Sequence, residues 1–215
     1  MSKPYSEADF STQLEVDRSW RLKEISDLKT AARAADSSLR RVLLRSLVTI
    51  CYAHWEGFVR FAARKYLEYV ALRKHSYGSL DRQFLRNYFL PRLAALSNSR
   101  ASVREMCGLV DEILNSSERR FARVNLDLID TKSNLNFNVL LEICLVCSIP
   151  TEPFEKHESF VDVFLLKRRN GIAHGEDTYL EINDVDELTD NTVAMMRAFG
   201  NALENHIYLK NYVAK

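Results

Sequence analysis

Apolar side chains recur along this chain at steps of three and four, the spacing that places them on one face of an α-helix. Residues 6 to 35 carry the first such pattern, with Phe10, Leu14, Asp17 or Trp20, Leu28 and Ala31 or Ala32 at loosely helical intervals. The many charges between them predict a helical arm that is largely solvated or laid across a partner. Asp36, Ser37 and Ser38 then offer caps for a second helix over residues 38 to 73, the hydrophobic spine of the chain. Along it Leu43, Leu47, Ile50, His54, Gly57 and Phe61 form one seam, while Arg41, Arg45, Glu56, Arg60 and Arg64 fall on another edge. At ~1.5 Å per residue the spine runs about 54 Å, more than the ~45 Å width of a compact chain of this size, so an elongated or kinked bundle is expected. Gly57 costs about 1 kcal/mol against Ala inside a helix and points to close helix approach there.

Two more helices are expected between residues 80 and 130, one on Leu85, Phe89, Leu93 and Leu96 and the next on Val103, Cys107, Val110, Ile113 and Leu114, joined by a polar loop over 97 to 102. Residues 126 to 129 suit a helix end or a short strand equally. A helix over 139 to 147 follows Asn134-Leu135-Asn136 and ends at Pro150 and Pro153. Residues 160 to 166 read as buried helix, and Gly175 sits where a helix of L-residues stops. Residues 178 to 182 alternate like a short strand. Asn183 or Asp184 opens a last helix striped with Val185, Leu188, Met195, Phe199, Leu203 and Ile207. The predicted architecture is an all-α elongated bundle, with the segment ending at Gly175 and the C-terminal helix packed on the spine. A single domain over 1–215 is expected, since no Pro/Gly/Ser-rich linker divides it.

Composition agrees with helices. Only 6 Gly and 4 Pro accompany 47% hydrophobic and 27% charged residues. A net charge of +1 predicts no general attraction to nucleic acid. The distribution is uneven, however: ten Lys or Arg stand between positions 60 and 104 against Glu68 and Asp81, whereas from position 176 onward eight carboxylates face Arg197, Lys210 and Lys215. The middle of the chain can offer phosphate contacts, or simply present solvated helix faces. Cys51, Cys107, Cys144 and Cys147 sit among apolar neighbours, and no signal-peptide pattern is seen, so a reduced cytoplasmic protein is expected. Cys144 and Cys147 have CxxC spacing without a second pair and read as core thiols. No run approaches the ~20 apolar residues of a membrane span. There is no P-loop, GxGxxG or HExxH motif, and neither cofactor nor metal is expected.

The chemistry gathers in Lys167-Arg168-Arg169-Asn170-Gly171-Ile172-Ala173-His174-Gly175-Glu176, where a fixed cation, an amide and an imidazole follow an apolar segment. On a helix Asn170 and His174 share a face, but Arg169 lies about 140° round from His174. Both reach one site only through the length of Arg, a distortion at Gly171, or a second copy of the chain. The plain alternative is a helix end whose basic residues complement the dipole and whose His caps it. His54, on the apolar seam, reads as a hydrogen-bonded core histidine, and Glu56 as the i+4 partner of Arg60.

Arg169, Asn170 and His174 together resemble the R-x4-6-H motif of the HEPN superfamily, and Cys51-Tyr52-Ala53-His54-Trp55-Glu56-Gly57-Phe58 resembles the "WEGF" helix of its RiboL-PSP or MAE-type branch. The likeness covers roughly residues 38 to 207. It implies a metal-independent endoribonuclease in which His174 moves a proton of the ribose 2′-hydroxyl, Arg169 holds the scissile phosphate and Asn170 orients one or the other, leaving a 2′,3′-cyclic phosphate. Arg168 and Glu176 would support the site, and Glu56 could face the motif and orient Arg169 or His174. The resemblance further implies RNA as partner, a homodimer, and a toxin or phage-defence role restrained by an antitoxin or other regulatory protein. A non-catalytic RNA- or nucleotide-binding and dimerisation module is the alternative.

Overall fold

The computed structural model describes residues 3–98, 101–178 and 180–215, and among these every regular element is helical. Helix α1 (Glu7–Ala34) starts on a capping box in which Ser6 and Asp9 each accept the other's backbone N–H at 3.0 Å. Helix α2 (Ser37–Leu72) is capped by Asp36, whose carboxylate accepts the Leu39 N–H at 2.9 Å, and runs 36 residues without a break. A 3-10 turn (Tyr77–Ser79), α3 (Arg82–Ser97), α4 (Val103–Leu114), a second 3-10 turn (Leu126–Leu128), α5 (Phe137–Cys147) and the short α6 (Glu152–Glu155) follow. The chain ends in a π-helical segment (Phe160–Lys167), α7 (Arg168–Ala173) and α8 (Asp184–Tyr208).

Helices α1, α2 and α8 pack on one another and hold the centre of the core, with Phe10, Leu14 and Ile25 meeting Trp55, Phe58, Tyr66, Met195 and Phe199. The N-terminal segment is therefore covered by two helices of its own chain. Its charged pattern concealed this because two of the charges are inside. Asp17 is buried as the partner of Arg21, which donates to it from Nε at 2.7 Å and Nη2 at 3.1 Å, a bidentate geometry that offsets the desolvation. Arg21 in turn occupies the space over Gly57, where an added Cβ would lie 2.6 Å from its Nη1. Close helix approach was expected at Gly57; the atoms nearest it are instead the guanidinium end of a long side chain reaching over from α1.

The spine buries more than one seam. Cys51, Tyr52, Trp55, Phe58, Val59, Ala62 and Ala63 are deeply buried, whereas Leu43, Ile50 and Phe61 are partly exposed, because α1, α5, α8 and the π-helical segment each cover a different side of α2. His54 is buried as expected, its Nε2 2.8 Å from a Glu24 carboxylate oxygen and its ring edge-on to Trp20.

Several expectations are corrected. In α3 the buried residues are Gln83, Phe84, Asn87 and Phe89, and Leu93 is exposed. In α4 the apolar stripe exists, but Val103, Cys107, Val110 and Leu114 face outward and only Leu109 is buried, since no described element lies over it. Residues 126 to 129 resolve into a 3-10 turn. No strand forms over 178 to 182, of which Tyr179 lies outside the described residues, as do Ser99 and Arg100 of the 97 to 102 loop. Residues 160 to 167 form a π-helix where an ordinary helix was expected. Cys144 and Cys147 are core thiols, and burial pushes Cys51 and Cys144 up to about 12, whereas Cys107 is exposed. Among the described residues no helix is long and apolar enough to cross a membrane.

Candidate functional site

The π-helical segment brings the motif onto the middle of α2. Such a segment inserts a wider turn and rotates everything after it, and π-turns inside helices recur at functional sites. Here it delivers Arg169 to the α2 face that carries Tyr52, the guanidinium carbon lying 4.5 Å from the ring centroid. Nη1 of Arg169 donates to Asn170 Oδ1 at 2.7 Å and to Asn134 Oδ1 at 3.3 Å. Among the described residues its Nε and Nη2 have no acceptor, so one edge of the planar fork is open.

Neither Tyr52 nor Asn134 was singled out from the sequence. Tyr52 lies inside the segment that carries the family likeness, but its role depends on a contact 117 positions away in the chain, between residues 52 and 169. Asn134 was read only as part of a helix start. Its loop is in fact tied to the site at both ends: the Leu135 N–H donates to the Tyr52 hydroxyl at 2.6 Å, and the Phe137 N–H donates to Asp162 of the π-helical segment at 2.7 Å. Burial and the adjoining Glu56 carboxylate push the Tyr52 hydroxyl far above its ordinary range, so it keeps its proton.

Asn170 is thus brought to Arg169, while His174 stands apart. It is the C-cap of α7, exposed, with its backbone N–H on Asn170 O at 3.0 Å and no hydrogen bond or ion pair to its ring among the described residues. Helix α7 is regular through Gly171, so the distortion that could have aligned Arg169 with His174 is absent there. The helix closes in a Schellman turn: Glu176 N–H bonds Gly171 O at 2.8 Å, Gly175 N–H bonds Ile172 O at 3.1 Å, and Gly175 has φ +80°.

The supporting candidates take other places. Arg168 turns back along the helix, its guanidinium 3.9 Å from the Phe164 ring centroid and Nη1 on the Phe164 carbonyl at 3.2 Å. Glu56 pairs with Arg60 and accepts the Thr131 hydroxyl, each at 2.5 Å, and reaches the motif only by way of Tyr52. Glu176 lays its carboxylate over Gly171, and its backbone carbonyl accepts from Arg45 Nη1 at 2.8 Å. Next to it Asp177 is ion-paired with Arg41, which holds its carboxyl below the ordinary range. The basic edge of α2 therefore straps residues 176 to 178 down beside the motif. Among the described residues no three His, Cys, Asp or Glu side chains gather as a metal-binding group.

A 36-residue central helix, a terminal helix packed along it and an Arg-Asn-x3-His turn seated against its middle define an all-α bundle of the HEPN kind. The RiboL-PSP-HEPN family matches residues 16–205, and the chain belongs to that family. Membership places it among ribonuclease-like or nucleotide-binding modules. No curated protein and no solved structure matches it.

Proposed function

We propose that the protein is a metal-independent endoribonuclease that cleaves RNA to 2′,3′-cyclic phosphate ends. The observation that carries this reading is the state of Arg169: held over the Tyr52 ring and fixed by two amide oxygens through one nitrogen, it leaves the rest of its fork without an acceptor among the described residues. A fixed planar cation with free parallel donors is built to grip phosphate oxygens. Asp177, beside the motif, is held by Arg41, and the reading takes the attacking oxygen from the substrate, whose 2′-hydroxyl stands next to the phosphate.

In the proposed step His174 removes the 2′-hydroxyl proton. The 2′-oxygen forms a bond to phosphorus as the bond to the 5′-oxygen breaks, the leaving oxygen takes a proton from water, and His174 gives the proton it holds back to solvent. Arg169 stabilises the charge that develops on the phosphoryl oxygens, a contribution of roughly 3–4 kcal/mol per well-placed donor. Because Arg169 and His174 are not aligned within one chain, the reading includes a two-fold dimer with facing motif helices. It extends to a toxin or phage-defence effector restrained by a protein partner, for which growth arrest on expression, relieved by His174→Ala, is the test.

A second reading, a non-catalytic RNA- or nucleotide-binding module, is favoured by one observation: no described group orients the His174 ring. The two separate in one experiment. Purified protein in excess EDTA is given RNA, DNA and an RNA carrying one 2′-deoxy residue at the cut site, with product ends read by mass spectrometry. Cleavage of RNA alone is expected, lost in Arg169→Ala and His174→Ala with thermal stability nearly unchanged. Activity that needs added Mg²⁺, or a cut through the 2′-deoxy position, overturns the mechanism. Binding without any cleavage establishes the second reading.

A further inference from the structure

The edge of α2 that carries Tyr52 continues through Glu56, Arg60 and Arg64, each one turn further along the helix. Beside Arg60 and Arg64, the loop that leads to Asn134 folds a cleft of about 360 Å³, with Thr131 and Ser133 on its wall and Asp127 and Asp130 on its rim. This loop is held in an unusual shape. Lys132 and Ser133 take successive left-handed conformations, with φ of 52° and 57°, which non-glycine residues avoid. The Lys132 N–H on Asp130 Oδ1 at 2.8 Å, the Asn134 N–H on Thr131 O at 2.9 Å and the Leu135 N–H on Tyr52 keep it there.

The second observation is charge. Of the cations along this part of α2, Arg60 is bound by Glu56 and Thr131, Lys65 by Glu68, and Arg73 by the Tyr5 carbonyl. Arg64 meets no carboxylate among the described residues, and its Nε is buried without an acceptor. Asp130 is turned to the Lys132 backbone, and Asp127 stands at the exposed edge. The Arg64 guanidinium, with the exposed Ser133 hydroxyl on the same cleft wall, offers donors of the kind a phosphate oxygen takes, while the Thr131 hydroxyl is buried and already donates to Glu56.

We propose that this cleft is a second phosphate subsite, through which a single-stranded RNA lies along α2 from Arg169 to Arg64. Twelve residues of helix separate Tyr52 from Arg64, about 18 Å, a span an extended strand crosses in a few nucleotides. The identity of the ligand as RNA rests on the nuclease reading above; the subsite itself does not.

Two RNAs, a dinucleotide too short to span both sites and a single-stranded octanucleotide, separate the possibilities. For the octanucleotide, Arg64→Ala should raise KM about tenfold with kcat unchanged, and Arg64→Lys should recover much of that loss. The dinucleotide should be cut equally by all three proteins. On a His174→Ala background, where binding alone is read by fluorescence anisotropy, Arg64→Ala should lower the slope of log affinity against log salt by about 0.7. Length-dependent binding that needs Arg64, in a protein that cleaves nothing, keeps the subsite and removes the nuclease. Cleavage with an octanucleotide KM indifferent to Arg64 removes the subsite and keeps the nuclease. Equal losses on both RNAs mark a structural role and overturn the proposal.

Discussion

His206, near the end of α8, is buried with Nδ1 2.7 Å from the Tyr66 hydroxyl. Burial holds Tyr66 well above its ordinary range, so the phenol keeps its proton and donates it, and a neutral imidazole accepts. Burial likewise depresses the pKa of His206 below that of an exposed histidine, as it does for His157. The unfolded chain therefore takes up a proton first as pH falls: stability is full above about pH 6.5 and declines below it, by up to ~1.4 kcal/mol per pH unit for one proton. Urea unfolding of His206→Gln should show lower stability at neutral pH but a smaller loss between about pH 7.5 and pH 5.5 than the wild type. Equal losses would sink the assignment to His206. The burial of His54 was legible at this scale because an apolar repeat ran through it. The platform under Arg169 was not, because Tyr52 and Asn134 acquire their roles from contacts that no local spacing encodes.

At the scale of elements, the termini were the most legible parts: Asp36 before α2 and Gly175 after α7 act where side-chain chemistry is local. The π-helical turn before α7 was hidden, since residues 160 to 166 are apolar but for Asp162 and one polar position sets no phase. Helix α4 shows the converse, a clear amphipathic pattern whose apolar side lies open, because a pattern states what could be buried and not what covers it. Gly171 ties α7 to its strap. A Cβ there would lie 2.6 Å from Thr178 Oγ1 and 2.8 Å from Glu176 Oε2, in a segment that Arg41 and Arg45 hold in place. Ala gains about 1 kcal/mol of helix propensity, against about 1–3 kcal/mol for overpacking a site that cannot move. Gly171→Ala should therefore lower the melting temperature. In a Glu176→Ala, Thr178→Ala background, where both contacting side chains are cut back, it should be neutral or stabilising, and a thermal-melt mutant cycle with no coupling would refute this account.

For the whole molecule, the uneven charge of the sequence turns out to be partly internal. Carboxylates of the C-terminal region pair with α1 and α2, as Asp186 does with Lys29 and Arg33 and Asp177 with Arg41, while the basic stretch from 60 to 104 is thinned by its own partners. What the sequence placed on one motif, the fold divides: Arg169 is seated on Tyr52 of its own chain with one edge open, and His174 is exposed at a helix end. If a two-fold partner completes the site, each centre takes Arg169 from one chain and His174 from the other. Mixing inactive Arg169→Ala with inactive His174→Ala then has a definite outcome. Random exchange puts half of the dimers in the mixed form, and each of these holds one complete centre and one empty one, so RNA cleavage should return to about a quarter of the wild-type level. Light scattering on the same samples should report a dimer. If both groups serve a centre within their own chain, every centre in the mixture lacks one of them and no activity returns. A monomer that cleaves RNA at full rate overturns the shared centre in the same way.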